Sequence, residues 1–132
     1  MHARTWVSRL ILFSAAGASS GCFLVAAGAG AGAVVAYTNR GATANVPGSV
    51  NTLFDRSLSV FGSMQISETG RSTEDSGALR RLVGKTGDLE ITVELKRSSD
   101  EVTKVEVVAR RSAVDYDKEI AKSVLDRIVK AP

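Results

Sequence analysis

Residues 87–96, Gly-Asp-Leu-Glu-Ile-Thr-Val-Glu-Leu-Lys, decide the fold. Leu89, Ile91, Val93 and Leu95 alternate without a break with Glu90, Thr92, Glu94 and Lys96. Successive side chains of a strand point to opposite faces, so this is a strand with one buried and one wet face. Gly87-Asp88 marks a tight hairpin turn and calls for a partner strand on its N-terminal side, over Ala78–Lys85. Ser98-Ser99-Asp100 turns the chain again. Beyond it, Val105, Val107 and Ala109 continue the buried face of a last strand, with Lys104, Glu106 and Arg110 opposite. A meander with one wet face must have its other face covered.

Two helical patterns supply that cover. Pro47 and Gly48 break the chain, Ser49 is a natural N-cap, and Val50, Leu53, Phe54, Leu58 and Phe61 form one apolar stripe up to Gly62. Asn51, Asp55, Arg56 and Ser59 face outward. At the other end, Asp115 caps a helix whose inner stripe is Ile120, Ala121, Val124, Leu125 and Ile128. Asp117 and Glu119 favour its positive end, and Lys122, Arg127 and Lys130 crowd toward its negative end. Arg40–Val46 reads as a short strand with Ala42, Ala44 and Val46 on one face. Met64 and Ile66 alternate with Gln65 and Ser67, and Gly70–Gly77 reads as a polar loop. The expected fold is α+β in two layers, β-α-β-β-β-β-α: an antiparallel sheet of four to five strands covered on one face by two helices.

The N-terminal part reads differently. Arg4 and Arg9 precede the apolar Leu10-Ile11-Leu12-Phe13, and a run of small residues follows from Ser14 to Gly21. These are the three parts of an export signal. Its removal would take away the single histidine, His2, and the single tryptophan, Trp6. Directly behind the small residues stands the one cysteine, Cys22, and Ser19-Ser20-Gly21-Cys22 resembles a bacterial lipobox, with Ser19 where Leu is usual. In such lipoproteins the Cys becomes the first mature residue and carries diacylglyceryl and an N-acyl chain. Two other outcomes remain open. Cleavage after Ala16-Gly17-Ala18 would release a soluble chain beginning at Ser19 with an unpaired thiol, and an uncleaved segment would serve as an anchor, since no charge occurs from Leu10 to Thr38. In every case the basic residues precede the apolar run, which places the C-terminal domain outside the cytoplasm. The expected divisions are a signal peptide over 1–21, a lipidated Cys with a Gly/Ala-rich membrane-proximal segment over 22–39, and a small domain over 40–132. Within that segment Gly28, Gly30 and Gly32 alternate with Ala, a spacing compatible with self-association in lipid.

A Cys after a signal, a Gly-Ala tract ending in Ala36-Tyr37, a helix, strands and a closing helix together resemble a family of small bacterial lipoproteins of unknown function. The resemblance implies an envelope address and an α+β fold, and it carries no activity with it. Phe23, where Asp is absent after the Cys, implies by the same kind of resemblance passage to the outer membrane, facing the periplasm.

The chain of 132 residues has 17 basic and 14 acidic side chains, a net of +3. Every acidic residue lies at or beyond Asp55, so removing Arg4 and Arg9 leaves a domain close to neutral. Such a domain has no electrostatic footprint for nucleic acid. With His2 gone and Cys22 consumed as a thioether, Ser-His-Asp and Cys-His catalysis and the usual zinc ligand sets are not available. No phosphate-binding or dinucleotide fingerprint occurs, and no cofactor or metal is expected. The carboxylate pairs Glu74-Asp75, Asp100-Glu101 and Asp115 with Asp117 read as solvated turn formers, and Glu90 and Glu94 as wet-face residues. The doublets Arg80-Arg81 and Arg110-Arg111 point to opposite faces of their strands and so do not act as clamps. These readings favour a non-enzymatic lipoprotein whose domain binds an envelope protein or component. The rival is a hydrolase using Ser or acidic chemistry.

Overall fold

A computed structural model describes residues 33–131. The elements are β1 (Val35–Tyr37), β2 (Gly41–Pro47), α1 (Val50–Ser63), β3 (Ser67–Glu74), β4 (Leu79–Thr86), β5 (Leu89–Ser99), β6 (Val102–Arg110) and α2 (Lys118–Lys130). A 3-10 turn, Asp75–Gly77, joins β3 to β4. All strands lie in one sheet, ordered β1-β2-β6-β5-β4-β3, and every neighbouring pair is antiparallel. The class is α+β, as expected, but the sheet has six strands rather than four to five.

Both additional stretches of sheet come from segments without a two-residue period. β1 falls at the end of the segment expected to be membrane-proximal, and pairs Val35 with Ala44 and Tyr37 with Ala42. Val35 and Ala33 are 2% and 6% exposed, so the chain enters the core before residue 40. β3 replaces much of the expected polar loop over Gly70–Gly77. It is an edge strand bonded only to β4 and is exposed along nearly all its length, so no apolar alternation was needed. A bulge between Glu68 and Gly70 interrupts its register.

The helices pack side by side on one face, α1 over β3, β4 and β5, and α2 over β1, β2 and β6. Ser49 caps α1 by accepting a hydrogen bond from the Thr52 amide at 3.2 Å. The buried stripe is Val50, Leu53, Phe54, Ser57, Val60 and Phe61. Ser57 stands where the stripe had no expected member, and its hydroxyl is satisfied by donating to the Leu53 carbonyl at 2.7 Å. Gly62 does not end the helix. Gln65 does, in a left-handed conformation (φ 56), while the Ile66 amide donates back to the Phe61 carbonyl. This tight closure drops Ile66 into the core beside Phe61. The cap of α2 is Asp117, not Asp115: its carboxylate accepts from the Ile120 amide at 3.0 Å. Asp115 is held instead in the preceding loop by Ser112.

The core lies between sheet and helices. Leu89, Ile91, Val93 and Leu95 of β5 and Val105, Val107 and Ala109 of β6 are all buried on the helix side, as the alternation requires. Buried Thr103 satisfies its hydroxyl by donating to the Gly48 carbonyl.

Candidate functional site

Among the described residues, both helices pack on one face of the sheet and leave the other uncovered. Its outward residues are set by the same alternation that fills the core. On β6 these are Val102, Lys104, Glu106, Val108 and Arg110, and on β5 they are Glu90, Thr92, Glu94 and Lys96. The register brings them together in rows: Lys96 opposite Lys104, Glu94 opposite Glu106, Thr92 opposite Val108, and Glu90 opposite Arg110. On the β4 side, Arg81 extends the glutamate row and Val83 extends the row of Thr92 and Val108.

Two ion pairs fix parts of this face. Arg81 donates to Glu94 at 2.7 Å, and that hydrogen bond raises the Arg81 pKa above its usual value. Arg110 donates to Glu90 at 2.6 Å. The two glutamates named in the sequence as wet-face residues are thus held by arginines from neighbouring strands. Exposed pairs of this kind contribute about 0–1 kcal/mol each, so their main effect is to fix orientation.

The arginine doublets split as expected. Arg80 points to the helix side, where its guanidinium lies 3.5 Å from the centre of the Phe54 ring and donates to Asn51 at 3.2 Å. Arg81 points to the open face. Arg111 meets Asp117 at 3.1 Å and Asp88 at 3.3 Å, while Arg110 meets Glu90. The carboxyl of Asp117 is held below its usual range, first by the Ile120 amide and then by Arg111. Arg110, Arg111, Asp88 and Glu90, with Lys85, line a hollow of about 430 Å³ between the β4–β5 turn and the loop after β6. Its arginines already have carboxylate partners, and Lys85 is the lining cation without a salt bridge among the described residues.

The other carboxylate pairs named in the sequence lie in turns and at strand ends. Glu74-Asp75 falls at the end of β3 and Asp100-Glu101 in the β5–β6 turn. Among the described residues no group of three or more His, Cys, Asp or Glu side chains is placed to hold a metal ion. No described helix is long and apolar enough to cross a membrane, which says nothing of β-barrels. Cys22, Gly28, Gly30 and Gly32 lie outside the described residues.

Residues 7–131 match the family described as protein of unknown function, DUF3568. The chain belongs to that family. The DUF3568 match takes in Cys22 and the Gly-Ala tract together with the entire described fold. Among curated proteins, none matches the chain. What the alternation could not reveal was the register: outward Lys104 and Glu106 were legible, but not that they face Lys96 and Glu94.

Proposed function

We propose that this DUF3568 chain is a membrane-anchored bacterial envelope lipoprotein, held by lipid on Cys22, whose small domain is a non-catalytic binding module. The observation that carries the binding role is the open sheet face. It is partly buried at Val83, Thr92, Glu94, Glu106 and Val108, and its side chains are ordered by the strands and by the Arg81–Glu94 and Arg110–Glu90 pairs. A surface of this shape suits a macromolecule rather than a small substrate, which needs a concave site. The anchor rests on the signal-like residues before Cys22 and on the small residues beside it.

The parts fit one another. β1 runs antiparallel to β2, so the chain enters the domain at the end of the sheet where Pro47 and Val102 lie. From Cys22 to Ala33 the backbone reaches at most roughly 40 Å when fully extended. A lipid on Cys22 therefore keeps the domain within that distance of the bilayer. Three acyl chains hold firmly, because about two lipid signals already give stable attachment. Phe23 after the Cys points to the outer membrane.

Intact mass and N-terminal analysis of membrane-extracted protein, against Cys22→Ser, tests the anchor. The expected product begins at Cys22 and carries diacylglyceryl and N-acyl mass, and Cys22→Ser lacks both. A wild-type chain beginning at Ser19 with a free thiol, or one retaining Met1, overturns it.

A further inference from the structure

The open face sets like charges opposite one another, and the described residues relieve them only in part. Glu94 lies directly opposite Glu106, and Lys96 directly opposite Lys104. Like charges placed across neighbouring strands repel. Arg81 relieves Glu94, but no described cation forms a salt bridge with Glu106, and both lysines stand without a described salt bridge. The acidic and basic rows are two residues apart along the strands, about 7 Å. An occupant of this face must therefore offer the opposite signs in the opposite order at that spacing.

The chain itself does so. Outward residues of β6 read Val102, Lys104, Glu106, Val108, and in reverse the order of apolar, basic, acidic and apolar becomes apolar, acidic, basic and apolar. We propose that the open face docks on the open face of a second copy of this chain, strands antiparallel, about a two-fold axis lying between the lysine and glutamate rows. This rests on the reading of that face as the binding surface. The operation sets Lys104 of each copy against Glu106 of the other and Lys96 against Glu94, and Val108 against Val102. Each contact is made twice, which is the mark of an isologous interface. Face-to-face sheets pack about 10 Å apart, a gap that facing lysine and glutamate side chains span together. An anionic lipid surface would meet the lysine row but would be repelled by the glutamate row beside it, so it fits the pattern less well.

Sedimentation of the full chain in a nonionic detergent tests this with two single variants. Lys104→Glu makes both central positions of β6 acidic, and Glu106→Lys makes both basic. The wild type is expected to dimerise at micromolar concentration, more weakly as salt is raised. Each variant alone should dimerise at least roughly tenfold more weakly, and their equimolar mixture should recover wild-type affinity as a heterodimer. Circular dichroism confirms that each variant is folded, and Thr92→Arg, in the adjacent row, is a second way to block the face. A wild type that is monomeric at all concentrations overturns the proposal. So do variants that associate as well as the wild type, which would place self-association elsewhere, for instance at Gly28, Gly30 and Gly32. The Cys22→Ser chain separates this from the anchor: it should still dimerise, and a monomer there would attribute association to the lipid.

Discussion

Gly84 of β4 is expected to be a position where one methyl group damages the fold. It is buried beneath the end of α1, and a Cβ there would lie 2.7 Å from Ile66 Cγ2, 2.7 Å from Phe61 Cε2 and 2.9 Å from the Ser67 carbonyl oxygen. Carbon atoms in ordinary contact stand about 3.5–4.0 Å apart, so the neighbours must retreat by about 1 Å. Phe61 and Ile66 are 2% and 5% exposed and have little room to move, and Ser67 is backbone already paired to Lys85. Overpacking of this kind costs about 1–3 kcal/mol, against a total stability of about 5–15 kcal/mol. In a domain of this size that lowers Tm by roughly 5–20 °C. Gly70 is the control, because a Cβ there meets nothing within 4 Å and its φ is not left-handed. Gly70→Ala should be neutral or stabilising by up to about 1 kcal/mol, through the unfolded chain. Urea unfolding followed by circular dichroism measures both, with an unchanged m-value as the sign that only stability has moved. Equal midpoints for Gly84→Ala and Gly70→Ala would refute the seating of α1 on β4.

The cap of α2 gives a pH-dependent prediction. Asp117→Ala should cost about 0.5–2 kcal/mol at neutral pH. The Asp117 carboxyl is held below its ordinary value of 3.8, so its charge stabilises the fold fully above that value and loses its contribution as pH falls through the lower folded value. Asp117→Asn keeps an acceptor for the Ile120 amide without the charge, so its deficit in urea midpoint should be present at pH 7 and shrink in acid; a constant deficit would mean the charge is not involved. Removal of β1 is the other test. A chain beginning at residue 40 loses the burial of Val35 and Ala33 and opens the edge of β2, and should be less stable than one beginning at residue 33 by roughly 2–4 kcal/mol. Equal urea midpoints would mean that β1 contributes nothing to the fold.

Most of the sheet was legible because β5 and β6 are covered on one side and wet on the other, which writes a two-residue period directly into Leu89–Leu95 and Val105–Ala109. The stripe of α1 was legible for the same reason at a helical period. The period disappears where that asymmetry disappears. β3 is exposed along nearly all its length, so Gly70–Glu74 carries no apolar alternation and reads as loop, while the alternation of Met64 to Ser67 belongs to the turn that closes α1 and to the first residue of β3. β1 is only three residues long, and Val35-Ala36-Tyr37 is apolar regardless of face, continuous with the Gly-Ala tract before it. The ends of the helices failed for a local reason. Gly62 is the better left-handed residue by type, yet Gln65 takes that conformation because stopping at Gly62 would leave Ile66 outside the core.

The open face shows a different limit. Alternation states which side chains leave the sheet on the same side, and so Glu90, Glu94, Lys104 and Glu106 were all placed correctly as outward residues. It does not state what each is opposite, because register is set by turns, bulges and core packing rather than by the strand's own period. A shift of two residues between β5 and β6 would keep every side chain on its face, and would place Glu94 opposite Lys104 or Val108 instead of Glu106. The short β5–β6 turn and the bulge between Arg97 and Ser99 go with the observed register, which sets Val93 against Val107 and Leu95 against Val105. The like-charge rows outside are its consequence. Repulsion between partly exposed charges is worth only a few tenths of a kcal/mol to about 1 kcal/mol per pair, too little to unseat a register that the turn sets. The domain therefore folds with the conflict in place.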